Sequence, residues 1–265
     1  LDMGIGGFNH FCNNGPFQNL KNWFEKLKSS YVDIFTVETK SYYEELKKTS
    51  VFKNRIEYLP NGVSLLDIDL TELDTLPKEN IIVTVGRLGT YEKNNSLLLN
   101  AIRNLPIELV KKWEFLLIGP STQEFSKEVA LFKEKNPAIA NCINMTGEIN
   151  NRNTLYSYLR RAKIICMTSL SESTCISTLE GMYFGTYPVI TNYSDFTLDT
   201  TNNNKVGCIV ENKNINALVS SLKHIMSDDN LYCKGLESQF YVRSVFDYRV
   251  LTKSLDSILR RYIKG

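Results

Sequence analysis

Histidine is nearly missing from this chain: His10 and His224 are the only two in 265 residues. A histidine-based metal centre or a Ser-His-Asp triad is therefore not expected. His224 sits beside Leu222 and Ile225 in a helical stretch and reads as structural or solvated. The six cysteines (Cys12, Cys142, Cys166, Cys175, Cys208, Cys233) include no C-x-x-C pair. A zinc site or disulfide framework is therefore not expected, and a reducing cytoplasm is the default. Cys166 and Cys208 lie in the apolar runs KIICMT and VGCIV and should behave as small buried hydrophobes. Neither sign of charge prevails, because 31 Lys+Arg against 29 Asp+Glu leaves +2. The surface as a whole thus has no electrostatic basis for binding nucleic acid or anionic lipid. Long apolar runs are lacking too. Stretches such as Ile81–Val85 and Phe115–Ile118 fall far short of the ~20 residues of a membrane span, and no segment reads as a secretory signal.

With 43% apolar residues the chain can build a real core, burying about 70–75% of its unfolded surface. From residue 81 short apolar runs alternate with amphipathic segments. Ile81–Gly86, Glu114–Gly119, Ile143–Gly147, Lys163–Thr168, Pro188–Thr191 and Gly207–Val210 read as strands, β-branched and bounded by Gly, Pro or Asn. Between them Ser96–Asn104, Gln123–Lys135, Asn153–Ala162, Thr174–Phe184 and Asn216–Ser227 carry helical spacing. Strict alternation with near-continuous apolar strands predicts an α/β fold, a doubly wound parallel sheet covered on both faces. Ligands bind such sheets at the carboxyl ends of the strands.

Residues 1–58 differ. Asn19–Lys28 is amphipathic, Val32–Val37 reads as a strand, and Thr39 caps a helix to Lys48 that leads into an extended Arg55–Leu59. These elements are too few for a sheet core and read as the trailing part of a second, truncated α/β domain. The first residue is Leu, which fits a piece of a longer protein. Pro60-Asn61-Gly62 is a turn and a plausible hinge, so residues 59–245 form the main domain. Residues 246–265 hold a last helix, Tyr248–Lys264, with Leu251, Leu255, Ile258, Leu259 and Tyr262 on one face for packing.

Two places could carry chemistry. Gly86 ends a strand, so Arg87 leaves the sheet at its carboxyl edge. Lys93 follows six residues later, before a helix that Asn95 or Ser96 would cap. Two cations beside a helix N-terminus suit a diphosphate, although two solvated charges would look the same. The second place is Glu172-Ser-Thr-Cys-Ile-Ser-Thr-Leu-Glu180, after the strand KIICMT. The N–H groups of Ser173, Thr174, Cys175 and Ile176 would be the free donors of the next helix. Glu180, a helical turn or two further on, could accept both hydroxyls of a vicinal diol. Glu172 could equally be a plain loop acid and Glu180 an exposed helix position, but Leu179, Met182, Tyr183 and Phe184 make that helix mostly apolar.

The stretch from about 56 to 228 resembles the nucleotide-binding domain of the family 4 retaining glycosyltransferases of GT-B fold. The matching pieces run in the family's order: YLPNGV (58–63), VGRLGTYEK (85–93), FLLIG (115–119), MTGEI (145–149), Glu172 to Glu180, GMYFGTYPVIT (181–191) and GCIVE (207–211). The resemblance implies a GT-B enzyme with a Rossmann-like donor domain and a partial second Rossmann-like domain on the acceptor side, to which the last helix crosses back. Arg87 and Lys93 would bind the donor's diphosphate and stabilise the leaving group. Glu172 would sit near the sugar hydroxyls, with the backbone of Ser173–Ile176 on sugar and phosphate. Glu180 would hold the ribose, and Gly86, Gly147, Glu148 and Ile149 would line the diphosphate and base. The family retains anomeric configuration, the departing phosphate taking the acceptor's proton, so no protein nucleophile is required.

This sequence departs from the pattern in places. Ser173-Thr174-Cys175 replaces a glycine-rich G-F-G, and Ser64 stands where an acid often follows P-N-G-V. The first half of the acceptor domain, with the family's usual active-site His, is not in the chain. The expected substrates are a nucleotide diphosphate-sugar, UDP-sugar before GDP-sugar, and a glycan or lipid-linked acceptor. No cofactor, metal or nucleic-acid partner is expected, and the sequence is silent on oligomeric state. The 26 asparagines point to genome composition and a bacterial source rather than to mechanism. The site of action would be the cytoplasm, with peripheral association at the inner face of the plasma membrane, on a surface-glycan precursor. The rival readings are a nucleotide-sugar epimerase and a non-catalytic nucleotide-sugar binder.

Other motifs point nowhere strong. Gly4-Ile5-Gly6-Gly7 has no strand before it and Asn9 in place of a third glycine. Asp67-Ile68-Asp69 is a D-x-D within a polar linker rather than at a strand end. His10, in GFNHFCNNG, would lie near an acceptor's path and is a weak catalytic candidate.

Overall fold

The computed structural model describes residues 31–49, 55–64 and 77–263. Asn19–Lys28, Gly4–Gly7, His10 and Asp67–Asp69 lie outside the described residues. The chain divides into two compact units, one of residues 1–61 and 251–265, the other Gly62–Val250.

In the first unit β1 (Phe35–Val37) and β2 (Ile56–Tyr58) pair in parallel, Thr36 opposite Glu57. Helix α1 (Lys40–Lys47) starts where expected, with Thr39 accepting from the Tyr42 N–H. Strand β1 is shorter than Val32–Val37, because its pairing with β2 begins only at Phe35, opposite Ile56.

The second unit is a six-stranded parallel sheet. Its strands are β3 (Glu79–Val85), β4 (Glu114–Ile118), β5 (Ile143–Gly147), β6 (Ala162–Met167), β7 (Tyr187–Thr191) and β8 (Cys208–Val210). They lie in the order β5-β4-β3-β6-β7-β8, with Val85 opposite Ile118 and Ile82 opposite Ile164. The helices are α2 (Asn95–Asn104), α3 (Ile107–Val110), α4 (Gln123–Lys135), α5 (Arg152–Arg161), α6 (Ile176–Tyr183), α7 (Phe196–Thr200), α8 (Ile215–Met226) and α9 (Leu231–Val245). A final helix, α10 (Tyr248–Ile263), runs on from there, its residues from Leu251 grouped with the first unit. Each face of the sheet has its own core. Ile82 and Phe115 pack with Leu98, Phe125 and Leu222 of α2, α4 and α8. Ile81 and Val83 pack with Tyr156, Leu179 and Val242 of α5, α6 and α9. The period-two alternation along β3 thus serves both faces.

Several expectations need correction. Helix α2 is N-capped by Asn94, left-handed at φ 46° and without a side-chain cap bond, because the Asn95 side chain instead accepts from the Gly89 N–H at 2.8 Å. Helix α6 begins at Ile176, not Thr174. On α10 Leu251 and Ile258 are buried, but Leu259 is 41% exposed. Cys166 is buried as expected, whereas Cys208 on the edge strand is half-buried.

At the carboxyl edge, glycines follow or end three strands. The Gly86 N–H bonds to the Ile118 carbonyl at 3.0 Å and the Gly119 N–H to the Gly147 carbonyl at 2.9 Å. Gly119 has φ +133°, and a Cβ there would lie 2.0 Å from the Gly86 oxygen. Gly119→Ala is therefore expected to destabilise the unit by about 3 kcal/mol through backbone strain and overpacking. Urea unfolding checks this, and a loss under about 1 kcal/mol would show that the strand ends yield freely.

Candidate active site

The strand order reverses between β3 and β6, which makes their carboxyl ends the switch point where doubly wound sheets receive ligands. The loop after β3 carries Gly86 to Asn94, and the loop after β6 carries Thr168 to Cys175. They are stitched together. The Leu170 N–H donates to the Glu92 carbonyl at 2.7 Å, and the Thr168 hydroxyl donates to the carbonyls of Lys93 and Asn94 at 3.2 and 3.0 Å. From β7 the Thr191 hydroxyl reaches the Ser169 carbonyl at 2.5 Å.

On this frame Lys93 and Glu172 form an ion pair, each side chain only 15% exposed. The Lys93 Nζ and the Ser169 hydroxyl, the latter at 2.7 Å, both donate to Glu172 Oε1. Gly86 leaves room for this lysine, since a Cβ there would lie 3.3 Å from Lys93 Cε. Arg87 is placed differently. Its side chain is 70% exposed and its Nη2 donates to Glu92 Oε1 at 2.7 Å. Such an exposed pair contributes little, so the guanidinium can exchange Glu92 for an incoming anion at small cost.

Of the four amides expected to be free, that of Ile176 is taken by the Thr174 carbonyl at 3.0 Å, because Cys175 is the N-cap of α6. Ser173 is exposed and Thr174 half-buried. The Cys175 side chain is buried in the core, and that burial raises its thiol pKa, which removes it as a nucleophile. Glu180 is buried, not exposed. Its Oε1 accepts from Arg152 Nη1 at 2.7 Å and from the Tyr156 hydroxyl at 2.9 Å. Gly147, at φ +72°, faces open space; Glu148 is exposed and Ile149 packs against the core.

Sequence reading missed Ser169, Arg152 and Tyr156. Ser169 had a local signal, three residues before Glu172, whereas nothing in the sequence joins Arg152 to a glutamate 28 residues away. Among the described residues no three His, Cys, Asp or Glu side chains gather as metal ligands would, and none of the helices is long and apolar enough to cross a membrane. An inward lysine, a half-buried carboxylate (Glu172), a buried one (Glu180) and a floor of glycine backbone offer groups suited to an anion and to hydroxyls.

The model of the family described as glycosyl transferases group 1 matches residues 70–237. A curated enzyme of Campylobacter jejuni subsp. jejuni serotype O:2, named as an alpha-1,4-N-acetyl-D-galactosaminyltransferase acting on GalNAc-alpha-(1->4)-GalNAc-alpha-(1->3)-diNAcBac-PP-undecaprenol, is 26% identical over 191 residues. That match covers 72% of this chain and 49% of the enzyme, so the chain spans about half the length of this relative. Sucrose-phosphate synthase from Thermosynechococcus elongatus superposes with a TM-score of 0.69 at 20% identity, covering 93% of this chain and 62% of that one. Anabaena HepE, solved with UDP and glucose, gives 0.67 at 13% identity, with 92% and 67% covered. These structures establish the fold, which is of GT-B type.

Proposed function

The chain belongs to the group 1 glycosyl transferases, and from that premise we propose that it transfers a sugar from a nucleotide diphosphate donor to a glycan or lipid-linked acceptor with retention of configuration. The observation that carries this reading is the Lys93–Glu172 pair at the switch point of the sheet. A cation there can grip a diphosphate and stabilise the charge that develops as the glycosidic bond breaks, while Glu172 and the backbone of Ser173 and Thr174 meet the sugar. Arg87 swings from Glu92 to the same diphosphate. Glu180 takes the ribose, and the backbone from Gly147 to Ile149 meets the base. UDP-sugar is the first choice of donor and GDP-sugar the second, with no cofactor or metal. The undecaprenol-linked substrate in the name of the C. jejuni relative supports a bacterial surface-glycan precursor as acceptor. A lipid-linked substrate in that name also fits peripheral association with a membrane, which this reading places at the inner face of the plasma membrane, in the cytoplasm.

The test is calorimetric titration of the chain with UDP, GDP and ADP without added metal, then with their sugar conjugates. Micromolar binding of one nucleotide, lost in Glu180→Ala, is expected; no binding to any of them would overturn the donor reading for this chain. Arg87→Ala should weaken that binding about tenfold, or 1.4 kcal/mol. Unchanged affinity would remove Arg87 from the diphosphate site.

A further inference from the structure

Glu180 is a carboxylate in apolar company. Only 7% of the residue is exposed, and its own helix surrounds it with Leu179, Met182 and Tyr183, all buried. Such a group tends to keep its proton. The two side chains that meet it come from one face of α5, four residues apart: Arg152 and Tyr156 both donate to Oε1. The Arg152 guanidinium also donates to the Tyr156 hydroxyl at 3.3 Å, and the tyrosine ring is packed on Phe184 with 5.0 Å between centroids. Among the described residues no donor reaches Oε2. Other groups around α6 face elsewhere. Gln239 and Arg243 of α9 bind the Tyr183 carbonyl, and the Tyr183 hydroxyl donates to Asp247.

We infer that Arg152 and Tyr156 are positioning residues, which fix the Glu180 carboxylate in its ionised form with Oε2 as the oxygen offered to the donor's ribose. The inference rests on the proposed donor reading. Both hydroxyls of a diol are donors toward a carboxylate, whereas a protonated Glu180 would present a competing O–H. Burial raises the Glu180 pKa, and the bonds from Tyr156 and Arg152 oppose that rise. Removing either donor strips part of that opposition and leaves the burial whole.

The experiment measures UDP affinity from pH 5.5 to 8.5 on the wild-type chain, Arg152→Ala, Arg152→Lys, Tyr156→Phe and Glu180→Gln, with GDP replacing UDP if GDP is the nucleotide bound. The nucleotide's own phosphate titration is common to all of them, so the ratio of variant to wild-type affinity is the readout. Tyr156→Phe and Arg152→Ala are expected to bind about tenfold more weakly at pH 6 and to recover most of that by pH 8.5. Arg152→Lys should stay near wild type throughout. Glu180→Gln should be weak at every pH without recovery. A pH-independent loss in Arg152→Ala and Tyr156→Phe would mean a merely structural role and overturn the inference. Wild-type affinity in Glu180→Gln, or no binding by the wild type, would overturn the donor reading itself.

Discussion

Lys93→Ala is expected to weaken nucleotide diphosphate binding about 100-fold, or 2.7 kcal/mol, ten times the effect of Arg87→Ala. Both residues are cations of one loop, yet their settings differ. Arg87 reaches into solvent, with 70% of its side chain exposed, and its partner Glu92 is itself 37% exposed, so removing it leaves no orphan. Lys93 is withdrawn beside Gly86 and paired with Glu172 at 15% exposure. There a cation meets an anion in a poorer dielectric and with little competition from water. Its loss also leaves Glu172 half-buried with only the Ser169 hydroxyl, which costs about 2 kcal/mol of stability, less than for a fully buried pair. The double variant Lys93→Ala/Glu172→Gln separates the two consequences. Stability should return toward wild type because the uncompensated charge is gone, while affinity stays low. Calorimetry and urea unfolding on the four proteins complete the cycle. Equal losses in Lys93→Ala and Arg87→Ala would show that burial of the lysine contributes nothing.

The second large effect lies at the opposite, amino-terminal edge of the sheet. Lys78 precedes β3 and turns inward, its Nζ donating to the Ala162 carbonyl at 2.6 Å just past the end of α5. Burial first, and the charge of Arg160 second, pull its pKa from 10.5 down to about 6. The folded chain thus binds this proton less readily than the unfolded one. Below pH 6 both states are protonated and the full penalty stands. As the pH rises toward 10.5 the native amine is already neutral while the unfolded one is not, so the penalty is relieved. Stability should climb by about 1 kcal/mol per pH unit between pH 7 and 9 from this group alone. Lys78→Met should remove that slope and be the more stable protein at pH 7, as buried charges replaced by apolar groups often are. Urea midpoints at pH 7, 8 and 9 for both chains test it. Parallel curves would mean that Lys78 stays charged in the folded state, held by the carbonyls it touches.

The sheet of the second unit was legible because most of its strands are short, nearly continuous apolar runs with a glycine, proline or asparagine at or beside an end; β6 lacks that punctuation and β5 (INMTG) is only partly apolar. The sheet's parallel order follows from the helices between the strands. The missed α9 shows where that signal fails. Its buried residues Leu231, Gly235, Ser238 and Val242 keep helical spacing, but two of the four are not apolar, while Tyr232 and Phe240 are exposed. Gly235 is there for fit: a Cβ would stand 2.4 Å from the Gly185 carbonyl, so the helix can pass over that turn only without a side chain. In the candidate site the charged residues of each loop were legible, whereas the Ser169 hydroxyl that serves Glu172 from the same loop was not. Nor were partners that meet only through the sheet. The spacing from Glu172 singles out Glu180, but the arginine and tyrosine that hold it lie on another helix and belong to no local pattern.

The distance in sequence between the two halves of the site bears on how the protein acquires its activity. Lys93 and Glu172 are 79 residues apart. They come together only after β3 and β6 have paired across everything that separates them, including β4 and β5. Contacts of such long range are slow to form, because the loop they close must be ordered before it is rewarded. Capture of a nucleotide is then among the last properties a refolding chain regains. The ligand should stabilise the finished protein by slowing its unfolding, with little effect on the rate at which it folds.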